Sequence, residues 1–182
     1  MPLARTPTAG REAPVPARDQ QRGRVYAAEA AWEARLDAAR RGATRADVAG
    51  SSVLLPQERL FGSLAAAQAY ADGVVTRRGL PPVRLRRRRG QSKAHWEPGG
   101  DDGSAVIALP VADHGMSWAL REAVLLHELA HHADALTAPA SAARHGPGFT
   151  ATMLALVTDI LGEQAAFVLR VELAEHGARV GP

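Results

Sequence analysis

Two histidines four positions apart, His127 and His131, flank a glutamate in the run VLLHELAH over residues 124–131. On a helix that spacing leaves the side chains rotated by only about 40° and about one turn apart, so both imidazoles project from one face. Such a pair chelates a metal ion. Glu128, next to the first histidine, can lean over the same face and take the proton of a metal-bound water, which is why H-E-x-x-H reads as a zinc hydrolase signature. The alternative, two buried neutral histidines, would leave several polar groups to satisfy inside an apolar helix without any metal.

A catalytic zinc takes three protein ligands and leaves its fourth position to water. His145 is the leading third ligand: it stands fourteen residues after His131, across a loop over residues 137–144 long enough to return the chain to the metal face. Gly146, Pro147 and Gly148 read as the entry to a helix, with proline favoured in its first turn and glycines permitting close backbone approach. Failing His145, the third ligand would be Asp134, Glu163 or Glu172. Asp134 or Asp113 is expected to orient a ligand imidazole as a hydrogen-bond acceptor. His132, one position beyond His131, should face away from the metal. Tyrosine occurs only at Tyr26 and Tyr70, both on early helices, so His114, His95, His176 and Arg170 are the unranked candidates for stabilising an oxyanion.

Period and punctuation outline the elements that must hold these groups. Val25, Ala28, Trp32 and Leu36 recur at helical spacing and predict an amphipathic helix over residues 19–41. Residues 42–52 read as a loop, and the short apolar run 53–55 is left unassigned. A second helix is expected over residues 57–78, with Leu60, Leu64, Ala67, Ala71 and Val74 on one stripe and Gly79, Pro81 and Pro82 closing it. Both helices read as structural, since apolar stripes usually mean core. The period then becomes strand-like: segments 83–88, 93–97 and 104–109 predict a small three-stranded antiparallel sheet. Between the last two, Gly99, Gly100, Asp101, Asp102 and Gly103 form a hairpin-like connection whose aspartates are turn residues rather than ligands. The motif helix should run over residues 117–136 from a Ser117 cap. A helix from Pro147 carries Phe149, Met153, Leu156, Val157 and Ile160, and after Gly162 a last helix reaches about His176. The fold class is therefore α+β, with residues 1–18 a disordered tail and residues 19–182 one domain.

With 182 residues, 46% of them hydrophobic, the chain suits a single globular domain. Cysteine is absent, which excludes disulfides, thiolate metal sites and a thiol nucleophile. The apolar runs fall far short of the roughly 18–20 residues that span a bilayer, and no apolar secretory h-region is present, so a cytoplasmic location is expected. The formal charge is +3, and five of the six residues 84–89 are arginine: Arg84, Arg86, Arg87, Arg88 and Arg89. These can neutralise nucleic-acid phosphates, in which case binding should be weak, salt-sensitive and sequence-independent. Charges that keep an edge strand from pairing are the reading favoured over that one.

VLLHELAHH followed by HGPGF resembles the SprT-like zincins, the group that includes Spartan-type DNA–protein crosslink proteases. Val124, Leu125, Leu129 and Ala130 match the uncharged surroundings of the zincin pattern, and His145, Gly146 and Phe149 match the group's H-G-x-x-[FW] motif. From its first helix to LRVELAEHG the chain also resembles a set of small bacterial metallohydrolases. The resemblance implies a zincin-like fold, with Zn²⁺ held by His127, His131 and His145 and Glu128 as general base. It further implies a metallopeptidase acting on peptide or protein substrates, with segment 104–109 as an edge strand able to pair with an extended peptide. A nonpeptidase zinc amidohydrolase is the nearest rival, and a noncatalytic zinc-stabilised nucleic-acid or partner-binding protein the third reading. The metzincin pattern is not met, because Asp134 and Thr137 stand where its glycine and third histidine would be. Nor is there the Cys-based zinc ribbon of Spartan-like proteins, so a DNA-repair role does not follow from the motif.

Overall fold

The computed structural model describes residues 17–89, 93–99, 104–111, 118–139 and 141–181. Expectations for the tail 1–16, for Gly90, for Gly100 to Gly103 and for Asp113, His114 and Ser117 lie outside them. The described residues form five helices, a two-stranded hairpin and a three-stranded sheet: α1 (Arg22–Arg40), β1 (Arg45–Val48), β2 (Ser51–Leu54), α2 (Leu64–Arg78), β3 (Val83–Arg87), β4 (His95–Glu97), β5 (Ala105–Leu109), α3 (Glu122–Asp134), α4 (Pro147–Leu161) and α5 (Glu163–Glu175). This is an α+β architecture. None of these helices is long and apolar enough to cross a membrane.

The α1 stripe is buried as its period predicts: Val25, Ala28, Trp32 and Leu36 are all inside. α1 lies along α5, and α3 packs on α4, which in turn packs on α5. Trp32, Leu36, Leu125, Leu126, Leu129, Met153, Leu156 and Leu169 fill the space between them. Ala17, assigned to the tail by composition, already donates its N–H to Ser141 O at 2.8 Å, so the folded part begins before Asp19.

Four expectations are corrected, the last being the start of the motif helix, which is Glu122 with Arg121 at the N-cap rather than residue 117. Residues 42–55 contain the β1–β2 hairpin, whose two-residue turn Ala49–Gly50 has both residues at positive φ, 49° and 76°. That is the backbone of a type I′ turn, in which Asn-Gly or Asp-Gly is the usual signal, and alanine conceals it. Second, α2 starts at Leu64 rather than residue 57, because Ser63 caps it by accepting the Ala66 N–H. Third, the sheet is mixed, in the order β3-β5-β4, with β3 parallel and β4 antiparallel to β5. All five residues of β5 are buried; an unbroken apolar run suits a central strand covered on both faces. β5 is therefore not an edge, and no peptide can pair with it. β4 is the edge strand beside α3.

The segment before α2 secures the motif helix instead of extending α2. Leu60 bridges Arg121, Phe61 N–H donates to Leu120 O and Glu122 N–H donates to Arg59 O. Glu58, buried, accepts the Ala123 N–H at 3.1 Å and both Nε and Nη2 of Arg121. A carboxylate at the first turn of a helix satisfies an orphan donor and complements the helix dipole. Arg121 also reaches Glu33 and Asp37 on α1, tying α1 to the start of α3. We expect Glu58→Gln to lower stability by about 2–3 kcal/mol, since it weakens a buried charge-assisted pair while Arg121 keeps two other carboxylates. Urea unfolding measures this directly. A change within about 0.5 kcal/mol, the range of ordinary surface substitutions, contradicts the role.

Candidate metal centre

α3 presents His127 and His131 from one face, and the loop from α3 returns so that His145 stands immediately before α4. Gly146 is the N-cap of α4 and Pro147 occupies its first turn, where a missing N–H costs nothing. The ligand nitrogens of His127, His131 and His145 all lie within 4.8 Å of one another. Phe149, one turn into α4 and 1% exposed, forms the floor: its ring stacks on His131 at 4.3 Å and meets His127 and His145 edge-on at 5.1 Å each. The phenylalanine of HGPGF thus sets the tilt of all three imidazoles.

α1 supplies what orients two of them. His127 Nδ1 is 2.5 Å from Glu29 Oε1, and His145 Nδ1 is 2.6 Å from Asp19 Oδ2, just ahead of the helix. A carboxylate only accepts, so each Nδ1 carries the proton and each Nε2 is left with a lone pair. The C-terminal segment braces this arrangement. Gln21 exchanges two hydrogen bonds with the backbone of Arg179, Thr150 Oγ1 lies 2.8 Å from Arg179 O, and Gly181 N–H donates to Pro147 O. A Cβ at Gly181 would sit 2.9 Å from that same oxygen, so only glycine allows the approach.

These residues fit a metal ion. His127 Nε2 and His131 Nε2 are 3.1 Å apart, a distance at which two lone pairs repel unless a proton or cation lies between them. His145 Nε2 is buried and has no partner. One proton cannot satisfy three converging lone pairs, whereas a divalent cation can. Electrostatics agree. Burial, then the charges of His127, His145 and Arg144, hold His131 down at about 2, a neutral ligand. Burial likewise lowers His145 despite Asp19. Burial opposes a charge on His127 too, but the Glu29 carboxylate outweighs it and raises the group. Glu128 is 4% exposed and its Oε2 has no partner. Burial pushes its carboxyl up to about 7, against the charge of His127 and a hydrogen bond from the Trp96 backbone.

The nest opens into a cleft of two lobes that share Tyr26, Lys93, His127 and Glu128. One lobe, about 230 Å³, has walls of Trp32, Trp118, Val124 and Met153 with Glu29 and Glu33 at its side. The other, about 270 Å³, passes His131 and His145 and is bordered by Arg22, Arg88, Lys93 and Arg144.

The expected ligands are brought together as a set, and the other third-ligand candidates are not. Glu172 pairs with Arg35 at 2.6 Å, Glu163 opens α5 in an exposed position, and Asp134 Oδ1 faces Gly148 rather than an imidazole. Orientation of the imidazoles comes from Glu29 and Asp19, not from Asp134. His132 turns away as expected, bonding Pro81 O and Trp96 Nε1. Of the oxyanion candidates, Arg170 on α5 and His176 just after it line neither lobe. His95 borders the basic lobe with both ring nitrogens engaged, by Arg88 and Glu97. Tyr26 is the residue passed over: its ring lies 5.1 Å from His145 and 5.7 Å from His127. The arginine stretch is also partly engaged, Arg86 with Glu97, Arg87 with Val111 O and Arg88 with Lys93 O, while Arg84 and Arg89 are exposed. One signal for the missed groups was present. Glu29 interrupts the stripe Val25, Ala28, Trp32, Leu36 on its buried face, and Tyr26, Glu29 and Glu33 line up at helical spacing.

The chain matches no protein-family model, no curated protein and no solved structure. The centre is therefore judged on its own geometry. Replacing Glu29 or Asp19 by alanine should weaken metal binding by about 10–100-fold, the usual effect of losing a carboxylate behind a ligating histidine. Competition for zinc against a chelating dye reads it. Unchanged affinity in both variants contradicts their orienting role.

Proposed function

We propose that the chain is a zinc-dependent hydrolase of peptide bonds, with His127, His131 and His145 holding the metal and Glu128 as general base. The observation that carries this reading is Glu128 itself: a buried carboxylate with an unpartnered Oε2, beside a nest of three histidines. A structural zinc usually has a fourth protein ligand and needs no base. Among the described residues no fourth side chain joins the three histidines.

The chemistry that zinc supplies in such a nest is Lewis acidity, which acidifies water toward neutral pH and polarises a carbonyl. Glu128 takes the proton of the attacking water at Oε2 and passes it to the leaving amine. Glu29 and Asp19 keep the imidazoles of His127 and His145 in the ligating tautomer. Phe149 excludes water from beneath them. Tyr26, which lines both lobes, is the phenol we assign to donate to a developing oxyanion.

A peptide suits the cleft better than a compact amide. Each lobe is smaller than the ~300–1,000 Å³ of cavities that enclose a drug-sized ligand, and Glu128 lines both, so an extended chain that occupies the two passes the base. Edge strand β4 runs beside the basic lobe, where His95 and Trp96 form its border.

Glu128→Gln is expected to retain zinc and thermal stability while hydrolysis of an unstructured protein such as casein falls by about 10²–10⁴-fold, the range for a lost general base. Undiminished cleavage by a pure preparation of the variant sinks the assignment.

A further inference from the structure

The two lobes differ in their charged lining, cations prevailing in one and carboxylates in the other. The basic lobe is bordered by Arg22, Arg88, Lys93 and Arg144 against the carboxylates of Asp19 and Glu128. The other lobe is lined by Glu29, Glu33 and Glu128 with Lys93, and there Glu29 is taken up by His127 and Glu33 by Arg121. Of the carboxylates in the basic lobe, Asp19 Oδ2 is bonded to His145, and Glu128, which feels the charge of Arg144, is buried and makes no ion pair with it. Arg88 is held by Lys93 O and His95, and in turn fixes the backbone that carries Lys93.

Three cations remain at the mouth. Arg22 and Lys93 lie over the Tyr26 ring, 5.4 Å and 4.9 Å from its centroid, and Arg144 directly precedes His145. All three are exposed, and none forms a salt bridge with a carboxylate of the described residues. Arg22 also opens α1, a helix with no acidic residue in its first turn, so the positive helix end adds to its charge. Cations gathered in a concave site with low-dielectric walls focus the potential and attract an anion. Arginine suits a carboxylate, which its planar fork can bind with two hydrogen bonds.

We propose that the substrate is an acidic peptide, held by Arg22, Lys93 and Arg144 through a carboxylate next to the bond to be cleaved. This rests on the reading of the centre as a peptide hydrolase. The carboxylate belongs either to an Asp or Glu side chain or to the peptide's C-terminus; the chemistry of recognition is the same. The opposite lobe, walled by Trp118, Val124 and Met153, takes the apolar residue on the other side of that bond.

Binding tests this without relying on turnover. Short fluorescein-labelled peptides, identical except for a Glu-Glu or a Lys-Lys pair, are titrated by anisotropy into the zinc-loaded full chain carrying Glu128→Gln. The acidic peptide should bind more tightly, and adding Arg144→Glu or Lys93→Glu should weaken it by about tenfold, roughly the sum of one lost and one reversed exposed ion pair. Zinc content and thermal melting confirm that each variant is folded. Arg84→Glu, at an exposed position of β3 outside both lobes, should change nothing. Amidating the C-terminus separates the two sources: loss of binding assigns the lobe to a terminal carboxylate, retention to a side chain, and each supports a carboxylate site. Equal binding of both peptides overturns the proposal, as does an equal effect of Arg84→Glu. So does a single-stranded oligonucleotide that displaces the acidic peptide and binds more tightly, which would assign the cations to phosphate. Cleavage by the wild type with no charge preference overturns this inference alone and leaves the hydrolase reading standing.

Discussion

Three imidazole lone pairs are turned toward one point inside the protein, and most of the rest of the fold can be understood as holding them there. Left alone they repel, and in a buried site water cannot relieve them. Carboxylates from α1 and from the turn before it fix the Nδ1 protons of His127 and His145, and Phe149 fixes the ring planes from below. The conformation is therefore one that the chain maintains against its own electrostatics, and a cation is what makes it favourable. This coupling of fold and ligand is the usual behaviour of metal sites whose ligands come from different elements.

The ligands come from α3 and the start of α4, but their orientation comes from α1 and from the turn before it. Distances between these elements are held by two clamps. At one end Glu58 caps α3 and Arg121 reaches back to Glu33 and Asp37 on α1. At the other, the segment after α5 bonds both Gln21 and the first turn of α4. The same placement of α1 puts Tyr26 between the two lobes and sets Arg22 at the mouth of one of them. A single helix thus serves the core with one stripe and the centre with the adjacent one.

Local chemistry was readable in the sequence, and tertiary placement was not. His127, Glu128 and His131 declare themselves because helix geometry alone puts them on one face. His145 follows from Gly-Pro-Gly helix entry and from the length of the loop before it. Glu29, Asp19 and Tyr26 did not, since nothing local says that α1 crosses the motif helix; only the polar residue inside an apolar stripe hinted at it. The β1–β2 hairpin was hidden by alanine at a turn position usually filled by asparagine or aspartate. Sheet order failed for a different reason. Three strands in sequence suggest a meander, but the unbroken apolar run of β5 required the centre, which displaced β4 to the edge beside the cleft.

The central claim is that three histidines, and not two, bind one metal ion. Elemental analysis of zinc per chain after dialysis against a weak chelator, on the wild type and on His145→Ala, tests it most directly. About one zinc per chain is expected in the wild type and a sharp loss in the variant, since one of three ligands is removed. Full retention of zinc by His145→Ala, or no zinc in either protein, would contradict it.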